Sequence, residues 1–479
     1  MNKILYSLIA TFVAIPFVAG GQSVIDTHPA GNPRARLLTV EEIAGAKSSS
    51  VYPSRVRLYW DASGELSKSV RRAAPEDYTL PVSDKEGVVY GQSVSRNEFG
   101  GSRWVIPSPD GSRLAVYRKD ESGVSLYPIY DIRSRTGKAK MIRYPMAGMT
   151  SEKLGICICD KSGNILSELQ VTDYDNERYL TNPTWSPDGK YIFVQVLDRV
   201  QHRMRLNMYR SSDGSFVRTV LSERNNDWIE PLDPLYFIKD SYEFIYRTDN
   251  RDGYRSLYLC DTLGKVKRLT KCNADVAYVA NDGKYVYYTS AEVSPVENHL
   301  FRLKLKDSFG LNRPQRLTPE TGWHQISMSP DCSRFIDRYS SLNVPGVTQV
   351  RDSNGNLLQR VSTSPDPLDI YAQCQVELGT VKSADAQTDN YYRLFYPRDY
   401  DPSKKYPLIV YVYGGPHSQM VTNSWLGNVR MWEMLMAQKG YFVYVQDNRG
   451  TQNRGAAFEK AINRGCGKAE SADQMAGIN

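Results

Sequence analysis

Up to about residue 365 the apolar positions come in short alternating or aromatic-rich runs, each opened by a tight turn. Ser108-Pro109-Asp110-Gly111 leads into Arg113-Leu114-Ala115-Val116-Tyr117, and Ser186-Pro187-Asp188-Gly189 into Lys190-Tyr191-Ile192-Phe193-Val194. Asn281-Asp282-Gly283 precedes Lys284-Tyr285-Val286-Tyr287-Tyr288, and Ser329-Pro330-Asp331 precedes Arg334-Phe335-Ile336. A turn followed by period-two alternation predicts β-strands. The spacing repeats as well. Arg268-Leu269-Thr270 recurs 48 residues further on as Arg316-Leu317-Thr318, and Asp282 and Asp331 lie 49 apart. Repeats of roughly 40–50 residues holding several strands each point to propeller blades rather than to a β-sandwich.

The pattern changes after about residue 370. Leu408-Ile409-Val410-Tyr411-Val412-Tyr413 is a continuous apolar run, which predicts a strand covered on both faces. Residues 429–438 carry helical spacing, Lys439-Gly440 closes it, and 441–445 is a second apolar run. Strand, helix, strand is the opening of an α/β domain. The organisation predicted is a leader over 1–21, an all-β propeller over 22–370 and the start of an α/β-hydrolase domain over 371–479.

Composition narrows the class of function. Hydrophobic residues make up 41% and charged residues 24% of the 479, the balance of an ordinary globular protein. The net charge of +7 is scattered, without a Lys/Arg block, which argues against nucleic acid as a partner. At the N-terminus, Lys3 precedes an apolar stretch from Ile4 to Val18, followed by the small residues Ala19-Gly20-Gly21. This is the layout of a cleaved export signal, too short to span a membrane comfortably, and places the mature chain in the periplasm, at the cell surface or in the medium. The seven cysteines are few for the length, and the same-face pair Cys157 and Cys159 reads as buried free thiols rather than as a metal site.

The chemistry concentrates in Val412-Tyr413-Gly414-Gly415-Pro416-His417, directly after the predicted strand. Glycines there let the backbone approach a substrate closely, and a loop in this place can donate to an oxyanion formed during acyl transfer; read bare, the pattern is equally a plain glycine-rich turn.

Further stretches make the pattern specific. Lys405-Tyr406-Pro407, Met436-Ala437-Gln438-Lys439-Gly440, Asp447-Asn448-Arg449-Gly450, residues 453–459 and Ala472-Asp473-Gln474-Met475 resemble the family S9 serine peptidases, in the branch of the bacterial prolyl tripeptidyl peptidases and dipeptidyl peptidase IV. The likeness reaches back through Asn97-Glu98-Phe99-Gly100, Tyr144-Pro145-Met146-Ala147-Gly148 and Leu180-Thr181-Asn182 to about residue 90. The resemblance implies a β-propeller capping an α/β-hydrolase domain, and a secreted exopeptidase releasing di- or tripeptides from peptides with a free N-terminus and a nearby proline. It implies no metal or organic cofactor and allows a homodimer. Tyr413 falls on the family's oxyanion-hole tyrosine. Glu98, with Asn97 before it, falls on the acidic motif that grips the substrate amine. Dipeptidyl peptidases carry a Glu-Glu pair there, so the single glutamate is more like the tripeptidyl pattern.

The chain also departs from that family. No Gly-x-Ser-x-Gly elbow occurs, and after Tyr413 the only serines are Ser418, Ser424 and Ser471, the only aspartates Asp447 and Asp473, and the only histidine His417. None has the context of a Ser-Asp-His triad. The acidic motif also arrives about a hundred residues earlier than in the relatives, roughly two blades by the repeat length, and Pro107 stands where an aromatic is usual. Truncation before the nucleophile is therefore expected, and with it an inactive chain. The alternative is a non-catalytic propeller that binds peptides or proteins, or a decayed gene remnant. A third branch, acylaminoacyl peptidases or oligopeptidases, fits less well, because blocked or internal substrates need no amine clamp.

Overall fold

In the computed structural model, residues 23–45, 48–69, 77–93, 99, 104–176, 178–306 and 313–479 are described. The chain divides into two compact units. One comprises 1–70, 272–280 and 286–479, the other 71–271 and 281–285.

The second unit is built from antiparallel meanders. Arg178–Trp185, Tyr191–Asp198, Arg203–Arg210 and Phe216–Arg224 form one four-stranded sheet, and Tyr236–Phe237, Phe244–Thr248, Ser256–Cys260 and Val266–Arg268 another. The turn-then-strand reading holds here, since Arg113–Asp120 and Tyr191–Asp198 follow their Ser-Pro-Asp-Gly turns directly. In each turn the serine hydroxyl donates to the aspartate, Ser108 to Asp110 at 2.6 Å and Ser186 to Asp188 at 2.7 Å. Pro107 ends the short strand Val105–Pro107, which among the described residues pairs only with Arg113–Asp120, so its missing N–H breaks no ladder there.

Adjacent meanders in this unit are joined by a specific lock. Trp185, at the end of its strand, donates from Nε1 to the Ile106 carbonyl at 2.9 Å. Arg113 in return donates to the Gly189 carbonyl at 3.0 Å, and its guanidinium lies 5.5 Å from the Trp185 ring centroid.

The first unit contains the same lock. Trp60, in the hairpin Tyr59–Trp60 and Leu66–Ser67, donates to the Ser327 carbonyl at 2.8 Å. Arg334 donates to the Gly64 carbonyl at 2.8 Å and stacks 5.1 Å from the Trp60 ring. Ser327 and Arg334 belong to the meander Trp323–Met328, Arg334–Ser341, Val344–Asp352 and Leu357–Thr363. The hairpin therefore occupies, against that meander, the place that the 178–224 sheet occupies against strand Val105–Pro107.

The first unit also holds a five-stranded sheet in the order Ser23–His28, Val376–Lys382, Asp389–Phe395, Phe442–Asp447, Leu408–Tyr411. The last two strands are parallel and the remaining pairs antiparallel. Helix Met431–Gln438 crosses between the parallel strands and buries Met431, Met434, Leu435 and Ala437 against Leu378, Phe395, Val443 and Val445. The predicted β-α-β unit is thus present.

Two expectations change. Ser23–His28 pairs with Val376–Lys382 instead of opening a propeller at residue 22. Alternation within a short run gives a strand but not its distant partner. The run 408–413 yields the strand Leu408–Tyr411 at the sheet edge, with Leu408 41%, Val412 46% and Tyr413 64% exposed, not a strand covered on both faces. An apolar run does not distinguish an edge from a centre. The pair Cys157 and Cys159 is buried and free, as read from the sequence.

Candidate active-site loop

Leu408–Tyr411 and Phe442–Asp447 run parallel, so both chains leave the sheet at the same end. The loop after the first strand carries Tyr413, and the turn after the second carries Asn448. Gly414 sits at φ +69°, a conformation that a side chain strains. A Cβ there would lie 2.9 Å from Asn448 Oδ1. Asn448 donates from Nδ2 to the Gly414 carbonyl at 3.2 Å and to the Arg449 carbonyl at 2.6 Å, and it accepts from Gln474 Nε2 at 2.9 Å. Gln474 lies on the last helix, Lys468–Ile478, whose Asp473 holds Arg449 through contacts at 2.8 and 3.0 Å. The helix fixes Asn448, and Asn448 fixes the turn beside Tyr413.

The chain beyond the turn is held from the sheet. Asp447, 5% exposed, accepts the backbone N–H groups of Met420 at 2.8 Å and Val421 at 2.9 Å. Burial pushes its carboxyl up to about 6 against the pull of those two donors. On the neighbouring strand, the fully buried Arg393 forms a bidentate pair with Glu433 at 2.8 and 2.7 Å and donates to the carbonyls of Met420, Gly427 and Asn428. Tyr413, placed between these braces, projects with 64% of its surface exposed.

Asn97 and Glu98 lie outside the described residues, so only Tyr413 of the three predicted site residues has a place in this geometry. The hydroxyls of the later serines are engaged with Gly415 O for Ser418, Thr422 Oγ1 for Ser424 and Gly467 O for Ser471. His417 lies 3.4 Å from the buried Glu459. The sequence reading assigned no role to Asp447, Asn448 and Arg393. The signal for the first two was the Asp-Asn-Arg-Gly run itself, since polar side chains straight after an apolar strand require partners. Arg393 carried no such signal.

Comparison with known proteins gives two family matches. The dipeptidyl peptidase IV N-terminal region matches residues 73–346, and the prolyl oligopeptidase family matches residues 428–479. Human dipeptidyl peptidase 8 is 24% identical over 457 residues, covering 78% of this chain and 50% of its own length. The probable dipeptidyl-aminopeptidase B of Emericella nidulans is 24% identical, over 79% of this chain and 45% of its own. The chain thus spans about half the length of the curated relatives it matches. Among solved structures, a putative dipeptidyl aminopeptidase IV from Bacteroides ovatus superposes with a TM-score of 0.78 at 35% identity, over 88% of this chain and 62% of that one. Porphyromonas gingivalis dipeptidyl peptidase 4 gives 0.74 at 25%, over 82% and 56%. With the meanders and the β-α-β unit above, these fix the fold as an N-terminal β-propeller preceding the start of an α/β-hydrolase domain.

Proposed function

The chain belongs to the dipeptidyl peptidase branch of the prolyl oligopeptidase family, and on that premise we propose that it supplies the substrate-gripping propeller and the oxyanion-binding half of a secreted serine exopeptidase releasing N-terminal di- or tripeptides ending in proline. The observation that carries this reading is the exposed Tyr413 on a braced glycine turn at the end of a parallel strand. A phenol held there donates to an oxyanion that exists only as the acyl carbon becomes tetrahedral, so it stabilises the transition state more than the bound peptide.

Glu98 takes the other end of the substrate. A carboxylate facing an ammonium makes a charge-assisted bond, and its distance from the scissile carbonyl sets how many residues are released. The single glutamate after Asn97 favours tripeptides. Cleavage proceeds by a Ser-His-Asp triad whose Gly-x-Ser-x-Gly elbow is not among these 479 residues. The segment from Lys3 to Gly21 directs the chain out of the cytoplasm. A homodimer is in keeping with the reading. The second reading is a propeller that binds peptide amines without cleaving them.

The test is to read the coding DNA past codon 479, express the product and assay chromogenic Xaa-Pro and Xaa-Xaa-Pro substrates. Release from the tripeptide substrate, a fall in kcat of about 10²–10³ for Tyr413→Phe and a raised KM for Glu98→Gln support the enzyme. No release, with binding of free-amine peptides but not of their N-acetyl forms, supports the second reading.

A further inference from the structure

The segment that follows the Tyr413 turn is tied to the propeller meanders of its own unit at Gln419, Trp425 and Leu426, and by three hydrogen bonds at Asn423. Asn423 is 2% exposed. Its backbone N–H donates to the Val296 carbonyl at 2.6 Å, its Nδ2 donates to Glu297 Oε1 at 3.0 Å, and its Oδ1 accepts the Leu342 N–H at 2.9 Å. Val296 and Glu297 enter the meander strand His299–Lys304, and Leu342 is the turn between Arg334–Ser341 and Val344–Asp352. One amide therefore ties two consecutive meanders to the segment whose Met420 and Val421 N–H groups rest on Asp447.

Glu297 is itself held. His299, fully buried, donates from Nε2 to Glu297 Oε2 at 2.8 Å, and Thr318 Oγ1 lies 3.2 Å from the other ring nitrogen. Burial pushes the Glu297 carboxyl up, but the His299 and Asn423 hydrogen bonds outweigh it and leave it below its usual value. A carboxylate with each oxygen on a different donor has a fixed orientation, and it fixes Asn423 in turn. Gln419 adds a second strap, donating to the Pro295 carbonyl at 2.7 Å.

We propose that Asn423 is a positioning residue through which the propeller meanders set the register of the Tyr413 loop, with Glu297 as its partner. The proposal rests on the reading of that loop as the oxyanion-binding loop. It makes the placement of Tyr413 depend on the packing of a residue 126 positions before Asn423 in the chain.

The test uses hydrogen–deuterium exchange and tyrosine-ring NMR on the 479-residue chain. Loss of a buried hydrogen bond is worth about tenfold in local opening. Asn423→Ala is expected to speed amide exchange about tenfold at Leu342 and across 412–426, and to shift the Tyr413 ring signal, identified by its absence in Tyr413→Phe. Exchange in the 178–224 sheet stays unchanged and serves as the folding control. Asn423→Asp places two carboxylates together and is expected to be worse than Asn423→Ala. Combining Asn423→Asp with Glu297→Gln exchanges the donor and acceptor roles. The amide introduced at position 297 then donates to the carboxylate introduced at position 423 and keeps its oxygen for His299, which is expected to restore both exchange and signal. If the double variant is no better than Asn423→Asp, or if Asn423→Ala leaves residues 412–418 and the Tyr413 signal unmoved, the proposal fails. A Tyr413→Phe peptidase of unchanged kcat would instead sink the oxyanion reading and leave this coupling standing.

Discussion

Asn448 donates to the Gly414 carbonyl at 3.2 Å, fastening the turn after one parallel strand to the turn after its neighbour. The bond joins residues 34 positions apart whose strands are side by side, so the glycine turn inherits the rigidity of the sheet.

Asn448→Ala leaves the Gly414 carbonyl and the Gln474 amide without this partner in a buried setting. The expected cost is about 1–3 kcal/mol, read as a lower urea midpoint with unchanged m-value. Gly414→Ala should destabilise as well, since it meets both the left-handed backbone and the Asn448 side chain.

Asp447 gives a pH dependence of unusual sign for an aspartate. Its folded value, about 6, lies above the ordinary 3.8. Its contribution to stability is greatest below the unfolded value, falls as pH rises from about 4 to 6 and is flat above. The span is worth about 3 kcal/mol at roughly 1.4 kcal/mol per unit. The difference in unfolding free energy between wild type and Asp447→Asn, measured from pH 4 to 7, should shift against the wild type by that order. A flat difference would contradict the assignment.

Arg393→Met strands a buried Glu433 carboxylate and should cost about 3–5 kcal/mol in chemical denaturation. Removing the partner too, in Arg393→Met with Glu433→Leu, should recover only part of the loss. The carbonyls of Met420, Gly427 and Asn428 still lack the guanidinium that served them.

The two tryptophan locks are chemically alike, so Trp60→Phe and Trp185→Phe should cost similar amounts, about 1 kcal/mol each for the lost Nε1 bond. Differential scanning calorimetry of the two variants would show whether the hairpin lock carries the same load as the lock within the second unit.

Local features were legible because local physics decides them. The Ser-Pro-Asp turns announced the strands beginning at Arg113 and Arg334, and the helical spacing placed Met431–Gln438 to within two residues. The glycine turn at 414 was readable from residue type alone. What escaped reading is set by distant partners. Nothing in Ser23–His28 names Val376–Lys382, and no pattern in Asn423 points to Glu297 at a separation of 126. The edge position of Leu408–Tyr411 is decided by which strand pairs beside it, a property of the sheet and not of the run. Arg393, the largest fully buried side chain among the described residues, is a charged residue in an apolar run. It reads as an exposed position until its carbonyls and its carboxylate are brought around it.

The matching locks carry a consequence for how the chain reaches this state. Trp60 and Ser327 are 267 positions apart, whereas Trp185 and Ile106 are separated by 79. At about 5–20 residues per second of synthesis, Trp60 waits roughly 15–50 s for its own acceptor. Between the emergence of Arg113 and that of Trp185, the Ile106 carbonyl and the Arg113 side chain are in the chain without the tryptophan they hold in the folded state. The hairpin lock can therefore close only once Arg334 has emerged, long after the lock between Trp185 and Ile106 has both of its partners.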